Sequence, residues 1–194
     1  LEVEPRLAES YTISGDGLRY TFRLREGIQF HDGTPLTAET ARFTFARQME
    51  PEHPAHFEDA SFQYWQNLFP VVERLETVDA MTLRFHLSEP RAGLLAAFAT
   101  FPAWLISPAA FEEYGKDMVN RPVGTGPYRF VSWRPNEAIL FEANLDYWRE
   151  PGPGFERMVL RSIPLNASRL SELKSGSLHG LDGVQPSELA DLGA

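Results

Sequence analysis

The stretch Pro-Val-Gly-Thr-Gly-Pro-Tyr at residues 122–128 strongly constrains how this chain can fold. Proline fixes φ near about −65° and has no backbone N–H, whereas glycine reaches positive φ without strain. The stretch therefore predicts a rigid, sharply bent strap at a sheet edge or between two subdomains. Two interpretations stay open: a structural turn, or a strap that lines a cleft and lets a ligand or a neighbouring lobe approach closely. The glycine spacing does not match a phosphate-binding loop, and no Lys-Ser/Thr pair follows.

Alternating apolar and polar residues predict antiparallel strands before this strap. Residues 20–25 alternate after an Asp-Gly turn signal, and residues 83–87 repeat the pattern. A period of two is typical of a strand with one buried face. Residues 7–11 should lead into the first strand, and the other predicted strands are residues 28–30, 71–77, 128–133, 138–142, 157–163 and 178–184.

Helix and linker signals divide the chain. Thr37 is a good N-cap for an amphipathic helix, and Pro-Gly-Pro-Gly at residues 151–154 is the strongest linker signal. After the linker, the pattern predicts a strand–helix–strand unit at residues 157–184. We therefore predict an α/β fold with α+β character. An antiparallel β-rich subdomain is expected at residues 1–148, and part of a mixed-sheet α/β subdomain at residues 149–194.

Composition narrows the class of protein. The chain has 194 residues, of which 43% are hydrophobic, enough for a domain with a sizeable core. The net charge of −9 argues against a nucleic-acid partner. The sequence has no cysteine and therefore no disulfide or thiolate chemistry. No apolar run approaches the roughly 18 residues that a membrane span needs.

The polar residues do not form a recognisable catalytic set. His53 and His56 allow a metal site, but Pro54 between them opposes a helix and favours a solvated loop. His31 and Asp32 allow an acid–base pair, but the following glycine makes them more typical of a turn. No serine lies in a nucleophile elbow. We expect a protein that is not an enzyme and uses no cofactor and no metal.

Aromatic residues in proline-bounded stretches are the better binding candidates. Aromatic side chains belong more often to a core, but irregular loops are where ligand contacts concentrate. We predict that these rings line a cleft near the strap; the alternative is that they close the core of the β-rich subdomain. The predicted substrate-binding residues are Phe62, Tyr64, Trp65, Phe101, Trp104 and Gly126.

Several segments, in order, resemble the extracellular solute-binding proteins of family 5. This family contains the dipeptide, oligopeptide and nickel receptors of ABC importers. The strap and the residues up to Trp133 resemble the family's Pro-Val-Gly-Thr-Gly-Pro-Tyr segment, and Phe-His-Asp-Gly at residues 30–33 ends another matching block. The matching segments are residues 5–11, 16–33, 122–133, 144–148 and 173–176.

The resemblance implies a periplasmic-binding-protein-like lobe. It implies that the chain is a fragment covering most of the first lobe, with the second lobe absent. The stretches around Phe62 and Phe101 overlie, by position only, places where family members contact ligand from the first lobe. Because the second lobe supplies much of the ligand contact in the family, the resemblance does not identify the solute.

The resemblance also implies a function. We expect the ligand-binding component of an ABC transporter, which captures peptides or similar small solutes and delivers them to the membrane permease subunits. The expected location is periplasmic or extracellular, with lipid attachment to the cell surface as an option. An alternative is a solute-sensing domain of a transcriptional regulator. A hydrolase is a third hypothesis, disfavoured by the missing nucleophile set.

Overall fold

The structure is a computed structural model that describes residues 3–57 and 64–185. Its strands are β1 (Ala8–Ile13), β2 (Arg19–Leu24), β3 (Val72–Asp79), β4 (Thr82–Leu87), β5 (Tyr128–Arg134), β6 (Ala138–Ala143) and β7 (Arg157–Arg161). Its α-helices are α1 (Ala38–Met49), α2 (Tyr64–Leu68), α3 (Leu94–Ala97), α4 (Pro108–Tyr114) and α5 (Asn166–Lys174). Short 3₁₀ helices cover Phe101–Ala103 and Gly115–Asn120.

The first sheet has four antiparallel strands in the order β1-β2-β4-β3. Alternate residues of β2 and β4 point into the core, as their period of two predicts, and Phe85 of β4 is only 1% exposed. Helix α1 covers this face, with the rings of Phe45 and Phe85 edge to face at 5.0 Å between centroids. The opposite face carries polar side chains such as Thr21 and Arg84, which bond to each other at 3.0 Å.

Helix α1 begins at a complete capping box. The Thr37 hydroxyl accepts from the backbone N–H of Thr40 at 3.2 Å, and the Thr40 hydroxyl accepts from the backbone N–H of Thr37 at 2.8 Å. Both groups satisfy N–H donors that a helix start otherwise leaves open. The predicted N-cap is therefore confirmed.

Replacing Thr37 with alanine should lower the free energy of unfolding by about 1 kcal/mol, because it removes the acceptor for a helix N–H. Urea denaturation measures the change. Thr12→Ala, on the exposed side of β1, removes the same hydroxyl away from any helix and should change stability by less than about 0.5 kcal/mol. Equal effects of the two substitutions would contradict the capping role.

The second sheet is also antiparallel, in the order β5-β6-β7, and none of its strand residues is buried. Residues paired in register lie on the same face of a sheet. One face of this sheet is therefore apolar across all three strands. Its residues are Phe130, Trp133, Ile139, Phe141, Met158 and Leu160.

Two predicted strands, and the mixed sheet that depended on one of them, differ from the structure. Residues 178–184 form no strand. Strand β7, which was expected to lie beside that segment, pairs with β6. The segment contains two glycines, one of them Gly183 at φ +66°, and such residues weaken a strand interior. The predicted mixed sheet is consequently not found in the described residues. The expected strand at residues 28–30 is reduced to one bridge between Gln29 and Pro35, a residue without a backbone N–H.

The mixture of helices with antiparallel sheets confirms the predicted fold class with its α+β character. The second sheet joins strands from both sides of the predicted boundary at residues 148 and 149. That boundary stays a prediction. Across residues 3–57 and 64–185, no helix has the length and apolar character of a membrane span.

Candidate functional site

Three exposed aromatic residues lie around the loop between α3 and α4, and we call them the aromatic surface: Tyr64, Phe101 and Trp104. Their exposed fractions are 36%, 50% and 70%. The rings of Tyr64 and Phe101 meet edge to face, with centroids 4.5 Å apart. Trp104 follows in the same loop and donates its backbone N–H to the Phe101 carbonyl at 3.1 Å. The structure therefore brings together two predicted site residues and places a third in the same loop.

Helix α1 fixes the loop that carries Phe101 and Trp104. The Gln48 side-chain amide donates to the Pro102 carbonyl at 2.9 Å, and the Thr44 hydroxyl accepts from the Ile106 N–H at 3.0 Å. Pro102 is itself buried. Because the loop is attached at both of these points, its large rings are held at the surface.

Trp65 does not belong to this surface. Its indole is 7% exposed and stacks on the Phe69 ring at 4.6 Å between centroids. It also lies 5.9 Å from the Phe45 ring, inside the core beneath α1. The structure places Trp65 in the core, which is the alternative that the sequence left open. Phe62, another predicted site residue, lies outside the described residues.

The strap of residues 122–128 runs beside the end of the aromatic loop. The backbone N–H of Ser107 donates to the Val123 carbonyl at 3.2 Å. A Cβ built on Gly124 would lie 4.0 Å from the Leu105 carbonyl, whereas one on Gly126 would meet no heavy atom within 4 Å. Gly126 therefore leaves open space next to its backbone.

Three side chains from two segments hold the carbonyls of the strap. The Gly126 carbonyl is 2.9 Å from His31 Nε2 and accepts from Asn144 Nδ2 at 3.1 Å. The Thr125 carbonyl accepts from the Trp148 indole at 3.2 Å. Sequence reasoning missed these contacts, because they join residues 18 to 95 positions apart and leave no local pattern.

The carboxylate of the neighbouring Asp32 bonds within its own turn and to a second segment of the chain. Its carboxylate accepts from the Ser107 hydroxyl and, at 2.9 Å, from the Thr34 N–H. Burial opposes ionisation, but the hydrogen bonds from Ser107 and Thr34 outweigh it and lower the Asp32 pKa. An ionised carboxylate held this way ties the turn at residues 31–34 to the start of α4.

The histidines of the loop after α1 bond mainly to backbone. His53 Nδ1 accepts from the Ala55 N–H at 3.1 Å, and His56 Nδ1 lies 2.8 Å from the Arg47 carbonyl. Within the described part of the chain, no group of three or more His, Asp or Glu side chains is arranged to hold a metal ion.

Two open depressions lie away from the aromatic surface. One, of about 260 Å³, is lined by residues around Tyr128 and Pro151, and the other, of about 250 Å³, lies between β5 and β7 near Trp133. Neither includes a predicted site residue. The exposed rings of the aromatic surface can contact a ligand through apolar contacts and through the Trp104 indole donor.

Comparisons with known proteins agree with the resemblance seen in the sequence. The family model described as Bacterial extracellular solute-binding proteins, family 5 Middle, matches residues 2–194. The glutathione-binding protein GsiB of Pectobacterium atrosepticum is 35% identical over 170 residues, which are 88% of this chain and 32% of GsiB. The chain therefore spans about a third of the length of the curated relatives it matches.

Solved structures show the same fold. The periplasmic binding protein DppA of Helicobacter pylori, in complex with the peptide STSA, matches with a TM-score of 0.89 and 31% identity, over 98% of this chain and 40% of DppA. A dipeptide-binding protein of Pseudoalteromonas, in complex with Met-Leu, matches with a TM-score of 0.89 and 27% identity, over 99% of this chain and 40% of that protein. The periplasmic-binding-protein-like lobe is confirmed, and the chain belongs to family 5 of the bacterial extracellular solute-binding proteins.

Proposed function

We propose that this chain is part of the ligand-binding component of an ABC importer that captures peptides or similar small solutes outside the cytoplasmic membrane. The observation that carries the proposal is the family match over residues 2–194. Similarity to a peptide-bound and a dipeptide-bound protein over nearly the whole chain supports peptides as the solute class. Similarity to GsiB adds glutathione, a tripeptide-like solute, to the candidates.

The aromatic surface forms one wall of the ligand cleft in this proposal. Its exposed rings suit a receptor that holds varied solute side chains mainly by apolar contact. Gly126 extends the wall along the strap, because the space beside its backbone is open. Trp65 is left out, since its ring is already packed against Phe69.

The opposite wall comes from a second lobe, which closes over the solute by a hinge motion. Residues 1–148 form the β-rich subdomain of the first lobe, and residues 149–194 begin its hinge-proximal part. The apolar face of the second sheet, which includes the half-exposed Trp133 and Leu160, packs in the intact receptor against further parts of the same receptor. The length of the relatives beyond the matched region supports this arrangement.

The partners in this proposal are a small solute and the permease subunits of the importer, in the periplasm or at the cell surface. The chain binds without chemistry, since its polar clusters serve structure. A solute-sensing domain of a transcriptional regulator has less support. GsiB, DppA and the Pseudoalteromonas protein are all named as binding proteins, and DppA is also named as ABC transporter-associated.

Calorimetry tests the function on the full-length receptor and on this chain alone. We expect the full-length receptor to bind di- to tetrapeptides or glutathione with dissociation constants of about 1 μM, near −8 kcal/mol. The isolated chain should bind the same solutes at least about 100-fold more weakly, because most of the buried contact area is lost. Equal affinity of the two proteins, or no response of the full-length receptor to any of these solutes, would overturn the proposal.

A further inference from the structure

The ring of His31 spans two positions of the strap. Its Nδ1 lies 3.4 Å from the backbone nitrogen of Gly124, and its Nε2 lies 2.9 Å from the Gly126 carbonyl oxygen. The backbone N–H of His31 adds a third contact, to the Gly124 carbonyl at 2.8 Å. One residue of the turn at residues 31–34 therefore bonds three backbone groups of a segment more than 90 positions away.

These contacts define where the imidazole carries its proton. The Gly124 N–H is a donor, so Nδ1 must accept. The Gly126 carbonyl is an acceptor, so Nε2 must donate. Only the neutral imidazole with hydrogen on Nε2 satisfies both. Protonation places an Nδ1–H against the Gly124 N–H, and this removes one contact and sets two donors against each other.

The surroundings of the ring favour the neutral form. Burial is the main influence and lowers the His31 pKa, and the positive charge of Arg129 lowers it further. The hydrogen bond to the Gly126 carbonyl and the nearby Asp32 carboxylate act in the opposite direction but are outweighed. Asp32 is also engaged by Ser107 and Thr34.

The strap carbonyl that His31 contacts is held from the other side as well. Asn144, which follows β6 and is 4% exposed, donates to the Gly126 carbonyl at 3.1 Å. Its Oδ1 accepts from Arg129 of β5 at 2.7 Å. His31 thus joins the turn at residues 31–34 to a strap that is already attached to the second sheet.

We propose that His31 is a pH-sensitive latch: its neutral ring fixes the strap at residues 124–126 between the two sheets, and protonation of the ring loosens it. The inference does not depend on the transport function proposed above. It rests on a donor and an acceptor placed at the two nitrogens of one ring. The expected effect is a local loosening of the strap under mild acid.

Nitrogen NMR of the wild-type chain tests the latch directly. Near neutral pH, the His31 ring should show the Nε2–H tautomer, and its titration should fall below the value of about 6.5 for a free histidine. As His31 titrates, the hydrogen-exchange protection factor of the Gly124 amide should fall at least about fivefold. An Nδ1–H tautomer, or unchanged Gly124 protection after His31 is protonated, would refute the latch.

A variant pair gives the second test. Because the pKa of His31 is lowered in the folded chain, the unfolded chain binds the proton more readily. The neutral His31 ring therefore contributes its full stabilisation above about pH 6.5, the pKa of a free histidine. This contribution is lost as the pH falls from that value through the lower pKa of the folded chain. His31→Gln should lack this part of the pH profile of the urea midpoint, whereas His179→Gln, at an exposed histidine, should keep it. Identical profiles in all three proteins would contradict the proposal. If His31→Gln does not fold, the wild-type NMR result alone decides.

Discussion

The Trp65→Ala variant should have a free energy of unfolding about 3–5 kcal/mol lower than the wild-type chain, because it opens a large cavity in the core. The indole of Trp65 stacks on Phe69, which is fully buried, and lies close to Phe45 of α1. Alanine removes these ring contacts from a helix of only five residues, whose one buried residue is Trp65. Urea denaturation followed by circular dichroism measures the change.

Trp104→Ala is the matched control, since it removes the same side chain from an exposed position. We expect it to change the unfolding free energy by less than about 1 kcal/mol. Similar losses in the two variants would show that Trp65 is not the better packed of the two rings. A loss confined to Trp65→Ala supports the placement of α2 against the core.

The neighbouring residues Tyr64 and Trp65 show where sequence reasoning ends. Both are aromatic, adjacent and close to prolines, so a rule based on composition treats them alike. The structure separates them because α2 forms there, and consecutive helical residues point about 100° apart. One ring meets Phe69 in the core, and the other meets Phe101 at the surface.

Period-two patterns were reliable where a sheet has one buried face. Strands β2 and β4 follow directly from such alternation, since a helix covers one side of their sheet. Residues 178–184 lack this pattern. Their leucines and valine are three positions apart, not two, and glycines interrupt them. Apolar content alone does not define a strand there.

The contacts of His31 could not be predicted from a single sequence. The Phe-His-Asp-Gly block resembles a turn, and the ring does lie beside a turn with Gly33 at positive φ. Its two hydrogen-bonding positions, however, belong to a strap 93 and 95 residues later. Only the tertiary arrangement brings these groups together.

Trp104→Ala in the full-length receptor should weaken peptide or glutathione binding by about tenfold, equivalent to about 1.4 kcal/mol. The reason is the large exposed area of the Trp104 ring, which the proposed cleft buries against the solute. The melting temperature should stay nearly unchanged, because the ring contributes little to the core. Calorimetry gives the affinity and a thermal melt gives the stability.

Trp104→Phe is the companion variant, because it keeps an aromatic wall but removes the indole N–H. If apolar contact dominates, Trp104→Phe should bind the solute almost as tightly as the wild-type receptor. If a hydrogen bond from the indole N–H dominates, Trp104→Phe should bind as weakly as Trp104→Ala. Unchanged affinity in Trp104→Ala would remove Trp104 from the proposed cleft wall. A large fall in melting temperature with unchanged affinity would assign the ring to an interface inside the receptor, and the aromatic surface would then cover protein rather than solute.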